Sequence, residues 1–348
     1  AVSGFNLGLG ISSTLFDGFD EHAAVALRTT SVDDSADAKE QELSADLHVA
    51  GKVEGLDVQG SFGIIWNFFS APSAMYDPFL LQGQFSTRYT LAQNVELSGG
   101  LSLFAFRGSD TRSSGRIYPS LGVSWFAASG VRLFADIGPT IERGRLSDLL
   151  ERNPYLRTDI GVRPTEHTMR FSVGADGDVA PGFRARLAVT YDRMRDYPLF
   201  SDPAFAGTWD IEYRGMTTFL SLDGSLYADL SDNDHAGLNF TVRSTRNTDT
   251  EAVPYVPRVH LSGLYSHRFP IDLTLRSSLQ VLGSTPVDVN SSRYIPAYAV
   301  VSLDAEYSVV HNVELTMKLD NLLDSEQRRF EGYLGYPRSV RLGLRYSW

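Results

Sequence analysis

Apolar and polar residues alternate strictly along most of this chain. At its C-terminal end Val340, Leu342, Leu344, Tyr346 and Trp348 share one parity, and Ser339, Arg341, Gly343, Arg345 and Ser347 share the other. A period of two is what a β-strand imposes, because successive side chains point to opposite faces. Val313, Leu315, Met317 and Leu319 stand likewise opposite Glu314, Thr316, Lys318 and Asp320, and Val301, Leu303, Ala305 and Tyr307 opposite Ser302, Asp304 and Glu306. Towards the N-terminus the pattern recurs. Examples are Phe5, Leu7, Leu9 and Ile11; Leu43, Ala45, Leu47 and Val49; Val95, Leu97, Gly99, Leu101 and Leu103; Val131, Leu133, Ala135 and Ile137; and Phe183, Ala185, Leu187, Val189 and Tyr191. With less regular stretches around 210–230 and 258–266, the pattern predicts about seventeen strands. Helical periodicity hardly appears, apart from a short turn around Ser147 to Glu151.

The connections alternate in length. Short turns at Lys52 to Gly55, Ala92 to Asn94, Ala127 to Gly130, Val179 to Gly182, Ser231 to His235 and Val309 to Asn312 take turns with longer segments at 31–40, 67–78, 108–115, 143–165, 194–208, 246–256, 285–295 and 322–336. Outer-membrane barrels have this asymmetry, with short periplasmic turns and long extracellular loops. A soluble sandwich has no reason to keep it in phase along the whole chain. The polar parity of nearly every strand also carries charges, which suits a wide, wet lumen better than a packed core. The sequence therefore predicts an all-β fold. It is a transmembrane antiparallel β-barrel of about 16–18 strands, one domain over 1–348, in the bacterial outer membrane. Trp66, Trp125, Trp209, Tyr213, Tyr346 and Trp348 are expected in the interfacial aromatic girdles.

Composition narrows the function more than the fold. The formal net charge of -11 excludes nucleic acid as a partner, since phosphate binding needs clustered Lys and Arg. Cysteine is absent, which removes disulfides, thiol catalysis and Cys-based zinc sites. A mean hydropathy of -0.15 suits a chain with only one apolar face. No apolar run reaches the ~18 residues of a helical span, and no signal peptide begins at Ala1, so the chain is expected to be mature or trimmed.

The stretch from Ala297 to Trp348 resembles the closing strands of TonB-dependent outer-membrane receptors. Asn321, Leu322, Leu323 and Asp324 match the element that ends the family's penultimate strand, and an aromatic ends the last. Asn153, Pro154 and Leu156, followed by Pro164 and Glu166, are similar to the family's extracellular Asn-Pro-x-Leu segment, and Pro254 and Pro257 enter a strand as its members do. The resemblance covers roughly 80–348. It implies that Trp348 ends in the periplasm and, with Tyr346, signals to the barrel assembly machinery. The family's N-terminal plug and twenty-two strands have no counterpart in the pattern, so the expectation is either the later part of a longer receptor or a reduced, plugless relative.

Candidate chemistry is sparse. The seven histidines lack the short spacing of a metal motif. No Ser, His and Asp trio stands out, so no enzyme, cofactor or metal is expected. The residues expected to face the lumen include Arg88, Arg132, Arg184, Arg186, Arg243, Arg276, Arg341 and Arg345 beside Asp136, Asp192, Asp304 and Glu306. Their mixed signs read as a cross-strand salt-bridge lattice rather than a selectivity ring. The apolar segment 67–78, with Phe68, Phe69, Met75 and Tyr76, is a candidate constriction or partner-covering loop. The expected partners are outer-membrane lipid, the assembly machinery and a periplasmic or outer-membrane protein. The functional expectation is uptake or passage of a small solute through the lumen. The alternative is a structural or assembly barrel sealed by its loops or by a partner.

Overall fold

The computed structural model describes residues 2–13, 19–32, 38–53, 55–71, 74–108, 113–127, 130–202, 207–248, 251–310 and 312–346. Among them, nineteen strands form the main sheet, and two of these, Ala74–Tyr76 and Thr140–Glu142, have only three residues. Seventeen long strands remain, the number the alternation predicts. Among the described residues no helix is long and apolar enough to cross a membrane.

Two compact units divide the chain. The first holds 1–125, 134–171 and 192–217; the second holds 126–133, 172–191 and 218–348. In the first, the strands Val2–Ser13, Phe19–Val32, Lys39–Val53, Leu56–Ala71, Phe79–Ala92, Val95–Arg107 and Ser113–Ala127 pair antiparallel in sequence order. In the second, Asp234–Asn247, Val259–Arg268, Leu273–Leu282, Tyr298–Val310, Val313–Asp320 and Ser339–Tyr346 do the same. Each backbone N–H and C=O inside such a ladder is satisfied by a neighbouring strand, the condition for crossing hydrocarbon.

The register puts each parity on one face. Leu9 is 75% exposed, Leu121 66% and Leu342 79%, and Leu27, Leu43, Phe62, Phe85, Leu101, Met169, Leu187, Leu238 and Leu315 are exposed with them. So many large apolar side chains on the surface belong to a protein whose surroundings are apolar. Trp66, Trp125 and Tyr346 are exposed on this face, as girdle residues are. Trp209 and Tyr213 are not girdle residues: Trp209 is 1% exposed, and both lie on a long connection rather than on a crossing strand. Ser347 and Trp348 fall outside the described residues.

Strands of fourteen to sixteen residues, such as Phe79–Ala92 and Leu56–Ala71, exceed the ~9–11 residues a tilted crossing needs. Their ends by the long connections therefore project beyond the bilayer. The segment 67–78 belongs to such a projection, because the period of two continues through Ala71. Phe68 is exposed and stacks on Trp66 at 5.8 Å, while Phe69 is buried on the other face. Met75 and Tyr76 lie in the return strand, of which only the backbone is described here.

One glycine is dictated by close approach. Gly177 has φ 149°, and a Cβ there would lie 2.0 Å from the carbonyl oxygen of Gly130. Any side chain would push the strand Thr165–Ala180 off the turn at Gly130.

Candidate functional site

The site begins as a conflict. At the projecting end of the first unit, Ile65, Leu80, Phe104 and Tyr118 form a buried apolar patch on the otherwise polar face. The patch is completed by Ile141, from the long connection between Ile137 and Thr165. That connection pairs back on its own exit, Thr140–Glu142 against Thr165–His167. Beyond this neck it forms the helix Leu146–Arg152, which buries Leu146, Leu149 and Leu150 at the i, i+3 and i+4 spacing of one helical face.

Glu40 and Glu42 share a parity on Lys39–Val53 and both are buried. Glu40 accepts hydrogen bonds from the N–H of Leu146 at 2.9 Å and of Ser147 at 3.1 Å. Glu42 accepts one from Arg143 Nη1 at 3.2 Å, and its other carboxylate oxygen lies 2.7 Å from Nε of the buried Arg145. Two buried carboxylates so close together are tolerable only because the loop supplies backbone amides to Glu40 and guanidinium groups to Glu42. Four long strands lie between Lys39–Val53 and Val131–Ile137, which makes five spacings of ~4.8 Å or roughly 24 Å along the sheet, so the connection lies across this polar face.

The neck is held by charges as well. Glu166 takes Arg116 Nε at 2.7 Å, Arg195 Nη1 at 2.9 Å and the hydroxyl of Tyr118. His167 sets Nδ1 2.9 Å from both oxygens of Asp192 and Nε2 3.4 Å from Glu142, and Arg170 stands 3.8 Å from Asp192. Gly144 fits at the neck because a Cβ there would meet the carbonyl oxygen of Arg163 at 2.3 Å.

A second connection joins the first. Arg157 N–H donates to the Trp209 carbonyl at 2.8 Å, and Trp209 N–H to the Tyr155 carbonyl at 3.1 Å. Trp209, Leu156, Ile160, Val162, Leu199 and Phe200 are all buried, which gives the paired connections a small apolar core. Asn153, fully buried, caps the turn by accepting the Tyr155 N–H at 3.0 Å. Burial pushes the Tyr213 hydroxyl up to about 12, although it accepts the Arg163 N–H at 3.0 Å. Burial also raises the Asp148 carboxyl, against the pull of Arg143 and Arg28.

The residues expected in the lumen fall mostly into ion pairs. Arg88 is 3.9 Å from Glu96, Arg132 2.9 Å from Asp176 and Arg184 3.0 Å from Asp178. Arg276 meets Glu306 at 2.7 Å, Asp304 meets Lys318 at 3.8 Å, Arg341 meets Asp320 at 2.5 Å and Arg345 meets Glu314 at 2.9 Å. Asp136 lies against Gly122, whose Cβ would come 2.4 Å from its carboxylate. Arg243 donates its backbone N–H to the Arg258 carbonyl, and Arg186 is also engaged. Among the described residues no group of three or more His, Asp or Glu is arranged to hold a metal ion.

Sequence reasoning did not single out Glu40, Glu42, Arg143 or Arg145. Parity alone puts the two glutamates on the face of Asp46 and His48, and that was the available signal. Their partners are about a hundred residues away, which no local pattern reports.

The family model for the TonB dependent receptor-like β-barrel matches residues 25–322. Comparison with curated proteins finds no match. Among solved structures, the copper transporter OprC is similar at 14% identity over 99% of this chain and 65% of its own, with a TM-score of 0.74. The siderophore receptor PiuA from Acinetobacter baumannii gives 12%, 99%, 64% and 0.74. A mutant of the ferric enterobactin receptor PfeA from Pseudomonas aeruginosa, in complex with enterobactin, gives 15%, 100%, 62% and 0.74. These likenesses are of fold. The chain spans less than two thirds of the length of each of the three.

Proposed function

Because the chain belongs to the TonB-dependent receptor-like β-barrel family of the bacterial outer membrane, we propose that it admits or takes up a small solute along its polar face. The observation that carries this reading is the contrast between the two faces. One is apolar and exposed; the other is lined by paired charges and by Ser and Gln side chains such as Gln84 and Ser86 that remain open to water. Pairing most of these Arg residues with a carboxylate leaves a hydrated wall without a strong field of one sign, which suits a passage better than a permanent ion trap. Related folds named for copper transport and for ferric enterobactin support a transport role. The family's named members are receptors and transporters rather than enzymes.

A second reading, a structural or assembly barrel closed by its loops or by a partner protein, is favoured by the connection 138–164, which covers the apolar patch of the first unit. Solute uptake by cells carrying the complete protein, set against cells lacking it, separates the two. Uptake that depends on the protein supports passage. Equal uptake, together with a stable co-purifying outer-membrane or periplasmic protein, supports the sealed barrel. Surrounding lipid is the expected partner of the apolar face. Recognition of Tyr346 and Trp348 by the assembly machinery is tested by replacing both with Ser and measuring insertion.

A further inference from the structure

The seven histidines have no metal-binding spacing along the sequence, yet the first unit's ladder sets two of them face to face. His22, near the start of Phe19–Val32, stands directly opposite His48, near the end of Lys39–Val53. Both belong to the polar parity, and both are exposed. Among the described histidines no other pair meets in this way: His167 stands opposite Thr140, His235 opposite Ser266, His260 opposite Thr241 and His267 opposite Asp234. Opposed residues on one face have Cβ atoms about 4.5–5.5 Å apart, a span that two imidazoles bridge by converging on one ion at ~2.0–2.1 Å from each nitrogen.

His22 is also oriented for this task. Its Nδ1 lies 3.1 Å from the hydroxyl of Ser12, on the strand Val2–Ser13 that pairs with the other edge of Phe19–Val32. With Nδ1 turned towards Ser12, the ring carries Nε2 on its opposite side, where Lys39–Val53 runs. An Nδ1–H donated to the Ser12 oxygen leaves Nε2 with a bare lone pair, which is how metal-binding histidines are commonly held by a second partner.

The surroundings favour a cation. The neighbouring rungs on this face set Asp20 opposite Ala50 and Asp46 opposite Ala24. One carboxylate therefore flanks the histidine pair on each side, diagonal to the histidine of the other strand. Asp20 and Ala50 also line a cavity of about 350 Å³ with Gln59, Ser86 and Arg88, which gives room for water to complete the shell of an ion holding two protein nitrogens. Lys52 and Arg88, on the wall of that cavity, are paired with Asp57 at 3.5 Å and Glu96 at 3.9 Å, which limits their repulsion of a cation.

We propose that His22 and His48 form a two-imidazole site for a divalent ion of the late transition series, nickel, copper or zinc, which ties their two strands together on the polar face. Imidazole suits these ions, whereas calcium and magnesium take oxygen ligands. A shell completed by water leaves the ion exchangeable, unlike the closed cage of a structural zinc. The inference goes beyond the uptake reading and does not rest on it, because a site on the wall binds its ion whether or not a solute passes.

Cu²⁺ is the probe, since it binds imidazole most tightly in this series and its unpaired electron reports coordinated nitrogen. The complete protein, in detergent micelles and free of any polyhistidine tag, is expected to bind Cu²⁺ with the electron spin-echo modulation of two imidazole nitrogens. His22→Ala and His48→Ala should each leave a single nitrogen. Each should also weaken binding at least about tenfold against a copper indicator, because a ligand matters no less than the partner that orients it. The double variant should bind little more weakly than either single one, since the two residues act as a unit. His235→Ala and His260→Ala should change neither reading. A two-nitrogen signal that survives the loss of His22 or His48 overturns the site, and so does a single-imidazole signal from the unaltered protein. If His48→Ala does not show heat-modifiable migration, His48→Gln takes its place, and the nitrogen count of the unaltered protein still decides.

Discussion

His167 holds its Nδ1 2.9 Å from both carboxylate oxygens of Asp192, a contact between the neighbouring strands Thr165–Ala180 and Phe183–Arg195. Both side chains are buried, and the remaining ring nitrogen faces Glu142 on the neck. A strand-to-strand contact thus also fixes where the long connection leaves the sheet. His167→Leu leaves Asp192 with only the more distant Arg170, and a buried acceptor losing its donor costs about 1–3 kcal/mol. Urea unfolding in detergent should show that loss, and proteolysis between residues 143 and 162 should quicken. A variant with unchanged midpoint and cleavage would contradict the role of this contact.

Among the described residues Trp209 is the largest fully buried side chain, and it belongs to the paired connections. Trp209→Ala is expected to cost about 3–5 kcal/mol. That loss should be local. Heat-modifiable migration on gels, a property of the strands, is expected to persist while the loops become protease-sensitive. Loss of both together would mean that the connections and the sheet fold as one cooperative unit.

Tyr213 carries a pH dependence outside the crossing strands. Its hydroxyl is raised by burial to about 12, above its ordinary value of 10.0. A raised acid of this kind contributes stability that is complete below pH 10 and is lost as the pH climbs through 12. The paired connections should therefore loosen between about pH 10 and 12, and Tyr213→Phe should flatten that transition. Tryptophan fluorescence, dominated in this region by the nearby Trp209, measures it.

The apolar face makes a claim about the surrounding medium. Leu121→Arg should destabilise the inserted protein by about 2–4 kcal/mol if that face meets lipid near mid-depth. Gln84→Arg, on the polar face, should stay within about 0.5 kcal/mol. Equal costs at the two positions would contradict the assignment of faces.

The strands were legible because their signal is local. Leu121, Val123 and Trp125 announce a face by their spacing alone, and long-range pairing confirms it without altering it. Segment ends were harder to read. Phe68 and Phe69 look like an apolar loop, yet their opposite parity continues the strand through Ala71. Trp209 reads as a girdle residue because an aromatic beside a segment end is ambiguous, and only its contact with Tyr155 and Leu156 reveals a loop core. The contact of Glu40 and Glu42 with residues 143–147 was the least legible part. Glu40 and Glu42 resemble any other acidic pair on a wet wall until Arg145 arrives from a distant connection.

The small core shared by Leu156, Trp209, Leu199 and Phe200 changes what the protein presents to the world outside the cell. Glu151, Arg152 and Arg157 stand exposed on a folded support. An antibody or phage fibre arriving there meets a shaped surface assembled from two separate stretches of chain. Serum raised against a linear peptide from either stretch should therefore bind the denatured protein well and intact cells poorly.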